Sequence, residues 1–167
     1  MNRLDIEVSG GCQCGAVRYH STQMHDNSHL CHCRMCQKAS GSIFAGLVAA
    51  PDDTLEWTRG KPAIWRSSEN VERGFCANCG TPLFYHDVHN GRTNLMIGSL
   101  DDPSAFPPGA NTGTEGAVSW FETITSIEDG GATETDREDW ASAIKATNHQ
   151  HPDTDTAHWE ATPRQQC

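Results

Sequence analysis

Three thiols crowd the stretch LCHCRMCQKASGS from Leu30 to Ser42, at Cys31, Cys33 and Cys36. That spacing lets one small loop turn all three sulfurs inward on a single ion. Three thiolates leave a tetrahedral divalent metal one ligand short, and the open position is where metal-assisted chemistry takes place. They also give a zinc site a net negative charge, which blunts the ion as a Lewis acid toward water. A thiol suits the open position better, because zinc strips the proton from a coordinating thiol and holds the thiolate. The trio therefore predicts a substrate that brings its own sulfur.

Cys12, Cys14, Cys76 and Cys79 fall as Cys-x-Cys and Cys-x-x-Cys. The partition that uses every motif cysteine puts these four on a closed, structural zinc and the trio on a second, catalytic one. In isolated zinc-finger peptides a structural zinc contributes about 10–16 kcal/mol, against roughly 5–15 kcal/mol for a whole domain. Loss of the four-cysteine metal is therefore expected to unfold the chain. Two other arrangements fit the spacing. Cys33 and Cys36 could join Cys76 and Cys79 as a zinc ribbon, although the 39 residues between the two pairs exceed the usual gap of about 15–20. The trio could also close as a structural site if His29, His32 or His86 supplied the fourth ligand. Cys167 lies outside every motif, and an exposed, idle thiol is expected there.

The elements that must position these sulfurs are short. The chain has 167 residues, one domain's worth and long enough to bury a core. Its formal charge is -10, which argues against nucleic acid or an anionic membrane as partner. Nine acids and three bases follow Ile127, so most of that charge sits in the tail. Met1–Gly11 has no apolar leader, and the longest apolar run, Ile43–Ala50, is too short to span a bilayer. A cytoplasmic protein is expected, where cysteines serve metals more than disulfides.

Residues 5–8 and 14–22 alternate in polarity and predict strands around a turn at Gly10-Gly11. A polar loop over 24–30 leads into the thiols. A helical turn over 37–41 and a buried strand over 42–50 follow. Further strands are expected at 55–58, 63–67, 71–75, 82–86, 93–98 and 118–123, with a long loop over 101–116. The pattern predicts a mostly β body over 1–127 and an acidic extension over 128–167. Thr135 and Glu138 stand in capping-box register for a short C-terminal helix over 135–147. The polar remainder from Asn148, with His149, His151 and His158, is expected to be irregular or partly disordered, its histidines on the surface. Trp140 and Trp159 suggest packing of the tail onto the body or across a homodimer.

Three blocks in order, GGCQCGAVRY from Gly10, CHCRMCQKASGS from Cys31 and FCANCGTPL from Phe75, resemble the signature blocks of the glutathione-dependent formaldehyde-activating enzyme family. The similarity covers about residues 8–125 and is weaker at VSWF from Val118. It implies a zinc-stapled β-tent fold of small antiparallel sheets and two zinc ions per chain. Cys12, Cys14, Cys76 and Cys79 carry over as structural ligands, and Cys31, Cys33 and Cys36 as catalytic ones. The implied activity is that of a carbon-sulfur lyase forming S-hydroxymethylglutathione from formaldehyde and glutathione, or a related reaction of a thiol adduct. Glutathione carries two carboxylates, so its groove should offer cations. Arg18, Arg34, Lys38, Arg59, Lys61, Arg66, Arg73 and Arg92 are the candidates, with Arg34 and Lys38 flanking the trio. Ser40, Ser42 or a backbone N–H near Gly41 could stabilise a developing oxyanion. The alternative is a non-catalytic zinc module that binds a thiol ligand or a protein partner.

Overall fold

The computed structural model describes residues 1–162. Twelve strands run in chain order: β1 (Arg3–Leu4), β2 (Val8–Gly11), β3 (Arg18–Ser21), β4 (Met24–His25), β5 (His29–Cys31), β6 (Ala45–Pro51), β7 (Leu55–Arg59), β8 (Ala63–Ser68), β9 (Val71–Phe75), β10 (Pro82–Asp87), β11 (Arg92–Met96) and β12 (Ala110–Thr112). Three helices accompany them: α1 (Arg34–Ser40), α2 (Thr133–Asp136) and α3 (Glu138–Thr147). The architecture is mostly β, as expected.

Seven strands form one sheet in the order β12-β5-β6-β11-β10-β9-β8; β2-β3-β7 form a second, and β1-β4 a two-stranded ribbon. All pairings are antiparallel except β12 with β5. The main core lies between the sheets around Tyr19, Met24, Val48, Leu83 and Leu95, all fully buried. β6 is buried along nearly its whole length, so its near-continuous apolar run reads as a central strand. A second, smaller cluster of Cys36, Ala45 and Leu47 backs the trio.

Several expected elements change in the folded chain. Gly10 and Gly11 belong to β2 rather than to a turn. A Cβ on Gly10 would overlap Tyr19 and the Ser99 carbonyl, so the glycine answers close packing of Tyr19 rather than a need for positive φ. The 24–30 stretch supplies β4 and β5 because its main chain pairs with β1 and β6, a tertiary preference that polarity cannot reveal. Instead of a strand at 118–123, a 3₁₀-helical run of about two turns occupies Phe121–Ser126. The capping box does not form: α3 starts at Glu138 without a side-chain cap, and Thr135 Oγ1 donates to the Ala132 carbonyl instead. Cys167 lies outside the described residues.

Candidate metal centres

The strand framework brings two sets of sulfurs together. In each set the ligand atoms lie within 4.8 Å of one another: Cys12, Cys14, Cys76 and Cys79 in one, Cys31, Cys33 and Cys36 in the other. The ribbon partition is thereby excluded. No histidine joins either set among the described residues. His32 Nε2 faces Asn111 Oδ1 at 3.0 Å, and His86 pairs with Asp52 at 3.3 Å.

The four-cysteine set joins the end of β2 to the β9-β10 turn. Cys12 and Cys14 Sγ are 3.7 Å apart, and Cys14 and Cys76 Sγ 3.8 Å. Zinc–sulfur bonds of about 2.3 Å give a tetrahedral edge of about 3.8 Å, so the spacing fits a zinc ion without rearrangement. Gly15 and Gly80 adopt positive φ of 72° and 81°, which turns each knuckle tightly enough to converge its sulfurs. Donors already point at the sulfurs: Val17 N–H at Cys12, Asn78 N–H at Cys76, and the Asn78 side-chain amide at Cys14. Burial first, then the neighbouring Cys76, push the Cys12 thiol far above its ordinary value. Cys79 is exposed; against the upward push of its partial burial, hydrogen bonds from Thr81 bring its thiol down to about 6. A cluster that holds its protons at one sulfur and sheds them at another is suited to a cation that replaces the protons.

The trio sits where β5 runs into α1. Cys33 caps the helix, its Sγ accepting from Cys36 N–H at 3.4 Å, and Gly41 at φ 65° ends it. The 111–116 segment backs this loop closely. Gln37 Nε2 donates to the His32 and Gly116 carbonyls at 2.9 and 2.8 Å, and a Cβ on Gly113 would stand 2.8 Å from Cys33 N. His32 is buried edge-on to Phe44 and Phe121. Burial, then Cys33, push the Cys36 thiol up to about 12 while Arg73 pulls it down. Cys31 is lowered: partial burial raises it, but the Cys33 backbone N–H and the Cys36 side chain outweigh that. Three converging sulfurs with no fourth ligand suit an ion with one open position.

A cavity of about 230 Å³ opens on the trio, lined on one side by Cys31, Cys33 and Cys36 and on the other by Arg73, Tyr85 and Asn94. Sheet register creates that second wall. Trp65, Arg73, Tyr85 and Asn94 are successive cross-strand partners on β8, β9, β10 and β11, and directly paired residues project to the same face. Two further cavities adjoin at Arg73. One, lined by Arg34, Met35, Lys38 and Trp65, runs over α1. The other, about 510 Å³, is lined by Cys36, Ser40, Ile64, Phe75 and Met96.

The structure sorts the candidate cations. Arg34 and Lys38 are exposed at the outer cavity, with Arg34 Nη1 donating to Gln37 Oε1 at 3.0 Å. Arg18 is buried and forked onto Asp101 and Asp155, and Arg59 is turned to His151 and Thr156. Arg73 is buried at the trio, Nη2 3.6 Å from Cys36 Sγ, with its guanidinium over the Tyr85 ring. Sequence reasoning counted Arg73 among eight cations and did not single it out. The available signal was period-2 placement with Val71 on the strand that leads into Cys76. Ser40 Oγ donates to the Cys36 and Phe44 carbonyls, a helix-ending role, and Ser42 is exposed away from all three cavities.

The tail departs most from expectation. Among the described residues it has no regular structure after α3, yet it returns to the four-cysteine knuckle. His151 is buried, and its N–H donates to the Gln13 carbonyl at 2.7 Å. Trp159 Nε1 donates to the Cys14 carbonyl at 2.7 Å, and Asn78 Nδ2 to the Thr162 carbonyl at 2.7 Å. Trp159 thus packs on the body, while Trp140 stays half exposed beneath Arg137. No helix among the described residues is long and apolar enough to cross a membrane.

Comparison with known proteins places these features in a family. Residues 7–115 match the profile of the glutathione-dependent formaldehyde-activating enzymes. An uncharacterized lyase of Schizosaccharomyces pombe is 28% identical over 91 residues, 54% of this chain and 65% of that protein. A Phaeosphaeria nodorum protein provisionally named a glutathione-dependent formaldehyde-activating enzyme is 29% identical over 93 residues, 52% of this chain and 49% of that one. A Penicillium rubens protein of the same provisional name is 30% identical over 77 residues, 44% of this chain and 40% of that one. The chain thus spans less than two thirds of the length of each. A solved Rhodobacter sphaeroides protein shares the fold, with a TM-score of 0.53 and 20% identity over 62% of this chain and 99% of that chain.

Proposed function

Because this chain belongs to the glutathione-dependent formaldehyde-activating enzyme family, we propose that it is a zinc-dependent carbon-sulfur lyase acting on the adduct of glutathione and an aldehyde, S-hydroxymethylglutathione or a close relative. The observation that carries the reading is the cavity on the trio: three sulfurs converge on one of its walls, and no fourth ligand meets them among the described residues. In this reading Cys31, Cys33 and Cys36 hold a catalytic zinc, and Cys12, Cys14, Cys76 and Cys79 a structural one. The catalytic ion would supply an acidified, fixed substrate thiol.

The remaining work falls to the chain. Leu47, Val71 and Met35 give the cavity an apolar lining that excludes water around the reacting carbon. Arg34 and Lys38, exposed at the outer cavity, hold the tripeptide's carboxylates. Residues 1–127 carry the chemistry, and 128–167 form an extension in which His151, Trp159 and Thr162 clamp the structural site. A cytoplasmic location, where glutathione is abundant and thiols stay reduced, suits this role.

Zinc analysis with glutathione titration tests the reading. Wild-type protein should hold two zinc equivalents, and glutathione should perturb one of them. Cys36→Ser should stay folded and lose the response. A Cys36→Ser variant that unfolds as fully as Cys76→Ser makes the trio structural and favours the non-catalytic binding module.

A further inference from the structure

Arg73 is the one buried cation on the wall facing the trio. It is 8% exposed, in a cluster whose three thiols carry negative charge once they ligate a metal. Ser67 Oγ accepts from its Nε at 3.3 Å, and the Tyr85 ring lies under its Cζ at 5.2 Å. One nitrogen, Nη2, donates to Cys36 Sγ at 3.6 Å. Nη1 has no hydrogen-bond partner among the described residues. The fork is therefore fixed by β9, β10 and the β8-β9 hairpin while part of its donor capacity stays free, and all three cavities around the trio share it as a lining residue. An arginine held this way is aimed at an oxygen of whatever occupies the cavity next to the sulfurs.

We infer that Arg73 is a catalytic residue whose guanidinium binds the oxygen geminal to the substrate sulfur, the carbonyl oxygen of the aldehyde and the hydroxyl of the adduct. The inference rests on the thiol-adduct reading above. Addition forms the C–S bond while the carbonyl π pair moves to oxygen; that oxygen then takes a proton from solvent. In reverse the hydroxyl gives its proton to solvent, the C–S bond breaks and the electron pair leaves on sulfur. Arg73 stays protonated throughout and stabilises the negative charge that develops on oxygen as the C–S bond forms or breaks, a charge absent from the bound aldehyde and the neutral adduct. This assigns the oxyanion contact to the sheet wall, in place of the serines beside α1.

The test pairs a probe with the geminal oxygen, thioacetate, with one that lacks it, ethanethiol. Both are titrated into the full chain loaded with cobalt(II), reading the sulfur-to-cobalt charge-transfer band of the trio. A short three-cysteine cobalt peptide supplies the intrinsic preference of the metal. The protein's preference for thioacetate should exceed the peptide's by about 10-fold or more, the value of a charged hydrogen bond. Arg73→Gln should bring it down to the peptide's ratio with ethanethiol affinity unchanged, and Arg73→Lys should keep part of it. In turnover Arg73→Gln should lose about 100-fold in kcat with KM for glutathione unchanged, and added guanidinium should restore activity to Arg73→Ala. A wild-type ratio no greater than the peptide's overturns the inference even if every variant unfolds, as does a preference that survives Arg73→Gln. Glutathione that leaves the band unmoved while thioacetate shifts it through Arg73 sinks the glutathione reading and spares the arginine's role.

Discussion

In the proposed groove Arg34 and Lys38 would meet the substrate from solvent, and exposed ion pairs contribute little, about 0.2–1 kcal/mol each. Arg34→Ala should therefore raise KM for glutathione no more than about 5-fold and leave kcat unchanged, which steady-state kinetics would show; an unchanged KM removes Arg34 from the groove. Cys76→Ser belongs to another class of effect. It breaks the proposed structural site, where Cys12, Cys14 and Cys76 are only 1–5% exposed, and loss of zinc with global unfolding by circular dichroism is the expected outcome. The grouping of all seven clustered cysteines was legible because cysteines at ligand spacing announce themselves in one dimension. Arg73 was not, because its meaning depends on lying opposite Tyr85 across a sheet and against Cys36 of a distant helix.

At the level of elements, strands between clear turn residues were readable, as with β7, β8, β9 and β10. Those made by pairing with remote chain, such as β4, β5 and β12, were not. The polar tail was legible only in part, for a similar reason. Its composition reads as disorder, yet His151, Asp155, Trp159 and Thr162 each find a partner on the body. Gly15 records how closely the segment lies: a Cβ there would overlap His151 and Trp159 Nε1. Trp159→Ala removes an indole donor from a main-chain carbonyl and much of the packing beneath His151. The variant should cost about 1–3 kcal/mol and speed release of the structural zinc to a chelator, with the response of the trio to glutathione unaffected.

The whole molecule carries -10, and part of that charge is tied down where the tail meets the body. Arg18 holds both Asp101 and Asp155; burial pushes the Asp155 carboxyl up, but the hydrogen bonds from Arg18 and Ser9 and the Arg18 charge together outweigh it and hold it below its ordinary range. His151 is lowered as well, by burial first and then by Arg18 and Arg59; with Nε2 facing Arg59 it sits neutral with its proton on Nδ1 toward the Pro152 carbonyl. Both groups bind protons less readily folded than unfolded, so each contributes stability above its unfolded pKa that is lost as pH falls. His151 acts first, below about pH 6.5, and Asp155 below about pH 3.9. Limited proteolysis should therefore cut the tail faster at pH 5 than at pH 7, while the β body resists until its thiolates are protonated and zinc departs. The route of the tail also fixes an order of manufacture. Cys79 completes the four-sulfur knuckle before Trp159 has been synthesised, and chains fold from the amino end as they emerge. A metal ion bound there would therefore meet an uncovered nest during translation, with the ribosome delivering the cover last.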